Sequence, residues 1–299
     1  MMKTSKIKTE LYKHITKTKN LFTSDFTNYL FNDPILLYYS DFSKNWGDYI
    51  NPFLVEKITG KQAVSYKRIY NVKNRRKLYG VGSILHHPGL QDSIIWGSGF
   101  IYPPKKIHGI PSKILALRGK NSAKIFENFG VTHNNVFGDP ALLFPSFYNP
   151  DRELKYKVGI IPHYSELKDF EKNSKLKENK DIKVISPMVP GDKVYNIIDQ
   201  LKECEIVISS SLHGLILADA YGKPSLRFNY SNKLVGGNFK FEDYYSGVGI
   251  NKHETIQINK VDNMDFQEIK NKSSLKDLKY DKEELYNVLV QYVQKRDKF

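Results

Sequence analysis

The sequence is built from short apolar runs that each end in glycines or polar residues and are followed by stretches of helical periodicity. The first such run is Ile35–Tyr39, and later ones include Ser93–Trp96, Lys157–Ile161 and Ile206–Ile208. Short, uninterrupted apolar runs are typical of strands that are buried on both faces of a parallel sheet. Strands that alternate with helices in this way predict an α/β fold with helices on both faces of its sheets.

The length of the chain, 299 residues, predicts two domains, each large enough to bury its own core. Pro145, Pro150 and a charged stretch between residues 140 and 157 have the composition of a linker. We therefore predict two doubly wound, Rossmann-like domains. Their expected limits are an N-terminal arm at residues 1–33, an N-terminal α/β domain at residues 34–150, and a C-terminal α/β domain at residues 151–299. The last domain ends in an amphipathic helix, Glu283–Arg296, which is long enough to cross back onto the first domain.

Composition excludes several classes of protein. Apolar residues make up 40% of the chain and charged residues 26%, as in an ordinary globular protein rather than a disordered or fibrous one. The chain has no apolar run of about eighteen residues and no apolar core of a secretory signal near Met1. A single cysteine, Cys204, excludes a disulfide framework and a multi-cysteine metal site. We expect a cytoplasmic protein that uses neither a metal nor a cofactor.

The net charge of +14 suggests acidic partners. Only seven of the 46 basic residues are arginines, while Lys, Asn, Ile and Tyr are all abundant, a bias that AT-rich codon usage produces without selection for a polyanion. We therefore expect no nucleic-acid partner. An anionic small substrate, or a peripheral contact with the anionic inner face of the plasma membrane, accounts for the charge equally well.

Polar residues and glycines follow four of the predicted strands. In parallel sheets, ligands bind beyond the carboxyl ends of the strands, where helix N-termini offer free N–H groups. Any one of these junctions alone is more typical of a tight turn, but several at the same edge of two sheets predict a ligand-binding cleft. The four junctions are Asn45–Asp48, Trp96–Gly99, Leu117–Lys120 and Ser209–Gly214.

His213 is the strongest single candidate for catalysis. It stands at the end of a buried strand and the start of a helix, where an imidazole at the mouth of a cleft can exchange a proton near neutral pH. A histidine that caps the helix is the alternative. For His163 a structural role is equally open. Arg118 can bind a phosphate or carboxylate through two parallel hydrogen bonds, and a surface salt bridge is its alternative.

Other patterns carry less information about function. Asp139 precedes Pro140 and is expected to shape a turn, with orientation of a cleft residue as the alternative. His86 and His87 are adjacent in a loop and lack the spacing of metal ligands. The chain contains no phosphate-binding loop of the Gly-Lys-Ser/Thr type, no nucleophile elbow, no dinucleotide fingerprint and no Asp-x-Asp motif.

Taken in order, the motifs from Tyr38 to Tyr245 resemble the polysaccharide pyruvyl transferase family. The resemblance implies a two-domain fold similar to the GT-B glycosyltransferases. It also implies transfer of pyruvate from phosphoenolpyruvate to a sugar, which forms a cyclic ketal in a capsule, an exopolysaccharide or another cell-envelope glycan, or in its lipid-linked precursor. The matching segments are Asn45–Tyr49, Gly82–Ile84, Trp96–Phe100, Leu117–Lys120, Gly138–Leu143, Gly159–Tyr164, Ile208–Pro224 and Phe239–Tyr244.

The resemblance implies that Arg118 and His213 are the residues of donor binding and catalysis. Many members of the family carry an arginine two residues before this histidine, where this chain has Ser211. Lys120, Arg227 and Lys240 are candidates to replace that arginine. The residues expected to bind the donor are Asn45, Gly47, Asp48, Gly97, Ser98, Gly99, Lys120, His163, Ser210, Ser211, Gly214 and Lys240.

Two other functions stay open at this point. The first is a GT-B glycosyltransferase that uses a nucleotide-sugar donor, which the departure at Ser211 keeps open. The second is a non-catalytic module whose lysines bind an anionic glycan or a membrane surface. The expected partners of the transferase are phosphoenolpyruvate or a nucleotide sugar, and a glycan or lipid-linked oligosaccharide as acceptor.

Overall fold

The computed structural model describes residues 34–41, 44–68, 75–189, 193–231 and 234–295. The predicted arm at residues 1–33 lies outside the described residues.

The first half of the described chain forms a sheet of five parallel strands in the order β2-β1-β3-β4-β5. Its strands are almost completely buried, as the apolar runs predict. The strands are β1 (Ile35–Tyr38), β2 (Ala63–Ser65), β3 (Leu78–Tyr79), β4 (Ile94–Trp96) and β5 (Lys113–Ala116). The α-helices are α1 (Trp46–Tyr49), α2 (Asn51–Thr59) and α3 (Lys120–Asn128), with 3-10 helices at Tyr66–Arg68, Pro88–Leu90 and Pro140–Ser146.

The second half forms a separate sheet of five parallel strands in the order β10-β9-β8-β6-β7. The strands are β6 (Tyr156–Ile161), β7 (Ile182–Val184), β8 (Cys204–Ser209), β9 (Ser225–Asn229) and β10 (Thr255–Gln257). The α-helices are α4 (Leu167–Glu171), α5 (Ser174–Glu178), α6 (Asn196–Lys202), α7 (Leu212–Ala220), α8 (Phe239–Gly247), α9 (Phe266–Lys272) and α10 (Lys282–Gln294), with a 3-10 helix at Val261–Asn263. No helix among the described residues is long and apolar enough to span a membrane.

The two sheets have the same topology. When the strands of each half are counted in chain order, both sheets are arranged as second, first, third, fourth, fifth. This is a doubly wound order, so the predicted fold class is confirmed. The strand order reverses between the first and third strands, which are β1 and β3 in one sheet and β6 and β8 in the other. A crevice for ligands opens at such a point, beyond the carboxyl ends of these strands.

One prediction about local structure is wrong. The run Leu78–Ile84 reads as one strand, but β3 ends at Tyr79 because the chain bends at the following glycines, and Gly82 has a φ of 131°.

The predicted linker follows a buried segment. Pro140–Phe144 lies in a 3-10 helix that packs on α7 and ends at Ser146. Residues 148–155, which include Pro150 and much of the charged patch, carry no regular secondary structure.

The final helix, α10, packs on the first sheet rather than on the second. Leu285 and Leu289 are buried in the same apolar cluster as Ile94. The indole Nε1 of Trp96 donates a hydrogen bond to the carbonyl oxygen of Leu285 (2.8 Å). The helix therefore crosses back from the second half of the chain and covers one face of the first sheet.

Hydrogen bonds also join the halves near the carboxyl ends of the strands. The backbone N–H of Trp46 donates to the carbonyl of Pro187 (2.8 Å), and that of Val189 donates to the carbonyl of Lys44 (2.6 Å). The indole of Trp46 donates to the carbonyl of Val194 (2.8 Å). These contacts hold the loop after β1 against the loop after β7, so the carboxyl ends of the two sheets face each other.

Candidate active site

The two crevices meet in one cavity of about 280 Å³. Each loop that leaves a switch-point strand contributes to its lining, because the same strand order places these loops at the centre of both sheets. The lining residues are Asn45 and Asp48 after β1, Ser83 and Ile84 after β3, His163, Tyr164 and Ser165 after β6, Ser211, Leu212 and His213 after β8, together with Ile101, Val235 and Lys240.

His213 is the second residue of α7, and its side chain is about 11% exposed. One edge of the ring lies against the backbone of Gly47 in α1, where an added Cβ would overlap the Nδ1 and Cε1 atoms of the imidazole. The other edge points to Asp139, whose Oδ2 is 3.7 Å from Nε2. The histidine of the second half is therefore held between two elements of the first half.

We expect Gly47→Ala to displace the imidazole of His213. Forcing a methyl group into this packed contact should lower the free energy of unfolding by about 1–3 kcal/mol and reduce turnover together with it. Denaturant unfolding and steady-state kinetics measure the two effects. The matched control is the same change in a His213→Ala background, where the clash is absent and the added cost in stability should be much smaller. Equal costs in both backgrounds would contradict this account.

Buried serines organise the loop that precedes His213. The hydroxyl of Ser210 donates to the buried carboxylate of Glu166 (2.6 Å) and accepts a hydrogen bond from the backbone N–H of His163 (2.9 Å). The hydroxyl of Ser209 accepts from the N–H of Ser211 (2.9 Å). An added Cβ at Gly214 would overlap Ser209 Oγ, so the glycine lets α7 begin directly against β8. This network sets the path of the chain on which His213 is presented.

His163 lines the same cavity, and the environments of the two histidines differ. Its Nδ1 accepts from the N–H of Ser165 (3.4 Å) and lies 2.8 Å from the hydroxyl of that residue. Burial, with the charge of Lys240 as the second cause, lowers the pKa of His163 to about 4. The imidazole is therefore neutral at physiological pH and suits hydrogen bonding better than proton donation.

Lys240, on α8, brings a positive charge into the cavity. Its side chain is about 6% exposed, and no hydrogen bond or ion pair joins its ammonium to any residue that the structure describes. Burial lowers its pKa to about 8, with further lowering by Arg118 and Arg227 and an opposing effect of Glu166. A desolvated ammonium without a carboxylate partner is well suited to bind an anion.

Arg118 does not line the cavity, although it comes from the junction after β5. Its guanidinium is wholly buried and donates from Nε to Oδ2 of Asp243 (2.9 Å), from Nη2 to the carbonyl of Phe100 (2.6 Å), and from Nη1 to the hydroxyl of Ser83. The other carboxylate oxygen of Asp243 accepts from the N–H of Ser122 (2.7 Å). The pair joins α8 of the second half to the first sheet.

Glycines allow this close approach of α8. An added Cβ would overlap the guanidinium of Arg118 at Gly99 and the carbonyl of Asp243 at Gly119. Nearby, Gly97 packs on Pro140 with a φ of 83°, and the hydroxyl of Ser98 donates to the carbonyl of Gly80. These residues shape the wall behind the cavity and do not line it.

The structure thus divides the predicted site residues into three groups. Those that line the cavity are Asn45, Asp48, His163, Ser211, His213 and Lys240, and those directly behind its lining are Gly47, Arg118, Ser210 and Gly214. Those that do not contact the lining in this way are Gly97, Ser98, Gly99 and Lys120, the last of which is exposed. Their roles toward a donor stay predictions.

Several residues of the site are absent from the sequence predictions. Ser83 and Tyr164 lie inside motifs of the family resemblance, and so does Asp243, so position within those motifs was the available signal. Glu166 is a single acidic residue in a charged segment, and nothing in the sequence marks it as buried. Only its three hydrogen bonds, from the hydroxyls of Ser210 and Ser231 and the N–H of Ser231, show its role.

A larger groove of about 590 Å³ runs along the edge strand β7. It is lined by Lys155, Lys177, Lys180 and Lys183 with apolar residues between them, and contains none of the predicted site residues. The smaller cavity is the better site, because polar side chains of different loops converge there at the carboxyl ends of the strands.

Two parallel sheets whose switch points meet around a cavity lined by polar residues define an α/β protein with a candidate ligand site between its halves. Residues 91–232 match the family described as Polysaccharide pyruvyl transferase. The match confirms the resemblance found in the sequence.

Two similar proteins extend the comparison. The chain is 29% identical over 226 residues to the uncharacterized protein L143 of Acanthamoeba polyphaga mimivirus, covering 74% of this chain and 76% of that protein. It is 25% identical over 215 residues to the succinoglycan biosynthesis protein ExoV of Rhizobium meliloti (strain 1021), covering 69% of this chain but only 62% of that protein.

Among solved structures, the chain is similar to the wall teichoic acid polymerase TagF, with a TM-score of 0.40 and 10% sequence identity over 99% of this chain and 91% of that one. A similarity of this size carries no conclusion about fold or function.

Proposed function

We propose that this protein transfers pyruvate from phosphoenolpyruvate onto a sugar of a surface polysaccharide, or of its lipid-linked precursor, and closes a cyclic ketal. The family match and the similarity to a succinoglycan biosynthesis protein support surface polysaccharide synthesis as the setting. The observation that carries the choice of an anionic donor is the buried ammonium of Lys240 in the same small cavity as His213.

The proposed donor matches the charge and size of this cavity. Phosphoenolpyruvate carries a carboxylate and a phosphate, both of which need cationic or N–H partners when they leave water. Lys240 supplies a charge, His163 a neutral imidazole, and Ser211 a hydroxyl at the start of α7. A volume of about 280 Å³ is at the lower end for small-molecule sites and fits a three-carbon acid phosphate better than a nucleotide.

The reaction needs proton transfer in both of its steps. In the first step a proton is added to the terminal enol carbon, and one sugar hydroxyl bonds to the central carbon and gives up its proton. In the second step phosphate leaves that carbon, and a second hydroxyl takes its place and gives up its proton, which closes the ketal. We assign proton transfer to His213. The carboxylate of Asp48, in the same cavity, is suited to accept a hydrogen bond from a sugar hydroxyl rather than to hold an anionic donor.

Replacement of Lys240 gives a prediction for donor binding. Lys240→Gln removes one charge-assisted contact, which is worth about 1.5–3 kcal/mol, so the Kd for phosphoenolpyruvate should rise about 10- to 100-fold. Titration calorimetry measures it. The matched control is Lys120→Gln, which removes an exposed lysine outside the cavity and should leave the Kd unchanged. An equal loss in both variants would contradict the placement of the donor beside Lys240.

The same lysine predicts the pH dependence of binding. Because its pKa is lowered to about 8, Lys240 is charged below that pH and neutral above it. Binding of an anion requires the charged form, so the affinity for phosphoenolpyruvate should fall above about pH 8, by up to about tenfold per pH unit. The donor's own phosphate ionises near pH 6, so measurements from pH 7 upward isolate the lysine. Lys240→Gln should abolish this dependence.

Ser211 keeps a second donor class open, since many family members have an arginine there. The deciding experiment incubates the protein with lipid-linked acceptors and either phosphoenolpyruvate or a panel of nucleotide sugars, and follows release of phosphate or nucleotide. Acceptor-dependent phosphate release that disappears in His213→Gln supports the proposal. Nucleotide release would instead identify a glycosyltransferase, and binding of acceptor glycan without any release would identify a binding module.

The setting at a membrane is also part of the proposal. A lipid-linked acceptor would bring the enzyme to the inner face of the plasma membrane, and the net charge of +14 favours contact with an anionic surface.

A further inference from the structure

The carboxylate of Asp139 lies directly behind His213 and is completely buried. One oxygen, Oδ1, accepts a hydrogen bond from the N–H of Ala141 (3.0 Å) and caps the 3-10 helix at Pro140–Ser146. The other oxygen, Oδ2, has no hydrogen-bond partner among the described residues and is 3.7 Å from Nε2 of His213. Nε2 is itself buried, and within the same part of the chain it has no hydrogen-bond partner. Two buried polar atoms therefore face each other just beyond hydrogen-bonding distance.

A buried carboxylate oxygen without a donor is costly, because it has lost its water. His213 can supply such a donor to Oδ2, because its Nε2 lies 3.7 Å away. A shift of the ring by roughly 0.5–1 Å would bring Nε2 into hydrogen-bonding distance. The pairing requires the proton of the neutral imidazole to be on Nε2 rather than on Nδ1.

The opposite edge of the ring has a different environment. Nδ1 lies against the backbone of Gly47, where only a glycine leaves room for the ring, but unlike Nε2 it is not completely buried, and the ring lines the cavity. The other charged or titratable groups around the cavity are Asp48 on α1, Lys240 on α8, and His163 and Tyr164 after β6, while Tyr244 on α8 lies near Asp139. Because Nε2 is buried and faces Asp139, Nδ1 is the ring nitrogen that a ligand can reach.

We propose that Asp139 is a positioning residue for His213. It accepts a hydrogen bond from Nε2–H, orients the imidazole, and makes Nδ1 the atom that exchanges a proton with the reactants. The negative charge of Asp139 also stabilises the imidazolium when Nδ1 takes up a proton. This inference rests on the proposed function for the role of the proton, but the tautomer it assigns is a property of the protein without substrate.

The variant Asp139→Asn tests the proposal with little change of shape. The amide oxygen can still accept from Ala141, while the amide nitrogen now faces Nε2 as a donor, so the favoured tautomer should reverse to Nδ1–H. A second variant, Asp139→Ser, keeps a residue type that caps helices and removes the partner of the histidine. Comparison of the two variants separates the role of Asp139 in capping the 3-10 helix from its interaction with His213.

The first measurement is the nitrogen NMR spectrum of labelled protein, with the His213 signals assigned by their loss in His213→Gln. We expect Nε2–H in the wild type and Nδ1–H in Asp139→Asn. A wild-type proton on Nδ1, or a spectrum of His213 that is unchanged in Asp139→Asn, would overturn the proposal. This measurement needs no donor or acceptor, so its outcome is independent of whether phosphoenolpyruvate is the substrate.

The second measurement is the pH profile of turnover. We expect Asp139→Asn to lower kcat at least about tenfold, with a change in donor KM of less than about threefold. The pH profile of kcat should change as well, because the carboxylate that faces the imidazole has become a neutral amide. If the tautomer reverses but the protein releases no phosphate from phosphoenolpyruvate, the proposed function fails and the positioning role stands. An unchanged pH profile in an active variant would refute the positioning role.

Discussion

Arg118→Met should lower the free energy of unfolding by about 3–5 kcal/mol, the largest effect we expect from a single change in this chain. The guanidinium is fully buried, and each of its nitrogens donates a hydrogen bond, to Asp243, Ser83 or Phe100. Methionine fills similar space but leaves the buried carboxylate of Asp243 without a counter-charge. Denaturant unfolding followed by circular dichroism measures the loss.

The matched control is Arg152→Met. Arg152 also pairs with an aspartate, Asp199, at 2.6 Å, but its side chain is 42% exposed. Exposed pairs contribute about 0–1 kcal/mol, so this variant should unfold almost as the wild type does. Adding Asp243→Asn to Arg118→Met removes the uncompensated charge and should recover part of the lost stability.

The result also tests the role that the family resemblance implies for Arg118. A guanidinium that binds the donor has to reach the cavity, whereas here it braces α8, the helix that carries Lys240. If Arg118→Met is as stable as Arg152→Met and loses only affinity for phosphoenolpyruvate, the arginine serves the donor and our account of the brace is wrong. If Arg118→Met loses much stability and Arg118→Lys does not recover it, the arginine has the structural role that we describe. Lysine cannot reproduce the planar set of donors.

His213→Gln should lower turnover at least about a hundredfold while the protein stays folded. General acid–base groups contribute about a hundred- to ten-thousand-fold, and this imidazole is placed between Gly47 and Asp139 with one edge on the cavity. A capping role is disfavoured, since Ser211 is the N-cap residue of α7 and Nε2 of the histidine makes no hydrogen bond with any residue that the structure describes. Steady-state kinetics and thermal unfolding of the same preparations measure the two effects.

His163→Gln is the matched control. It removes a second histidine from the same cavity, but the pKa of His163 is lowered to about 4, so its imidazole carries no exchangeable charge near neutral pH. We expect a loss of turnover within about tenfold, and a pH–rate profile that keeps its ionisation. Near-normal turnover of His213→Gln with reduced thermal stability would show that His213 is structural.

The sequence was sufficient to predict the fold class, and it singled out His213, which lines the cavity and whose catalytic role stays a prediction. Parallel strands buried on both faces are continuous apolar runs, and β1, β4, β6 and β8 are recognisable for that reason alone. The place of His213, directly between a strand and a helix, is a local property of the chain. The arm at residues 1–33 and the domain limits stay predictions.

Short elements at the edges of the sheets could not be recognised from apolar runs in the sequence. The strands β2 and β10 have three residues each, which is too few for a period to show. The helix α8 carries buried polar residues, Lys240 and Asp243, on a segment whose sequence does not indicate burial. Their environment comes from contacts with residues more than a hundred positions earlier in the chain, such as the pair of Asp243 with Arg118.

Local sequence pattern determined which segments of this protein are strands and helices, because periodicity and chain-breaking residues act within one or two turns. Tertiary structure alone decided which of the polar residues meet. The same strand order in both sheets brings the loops after β1, β3, β6 and β8 to one cavity, and strand order is not encoded in any single segment. Gly47, Asp139 and His213 come together, and Arg118 is buried behind the lining of the cavity, only because packing between the halves satisfies buried charges and fills buried space.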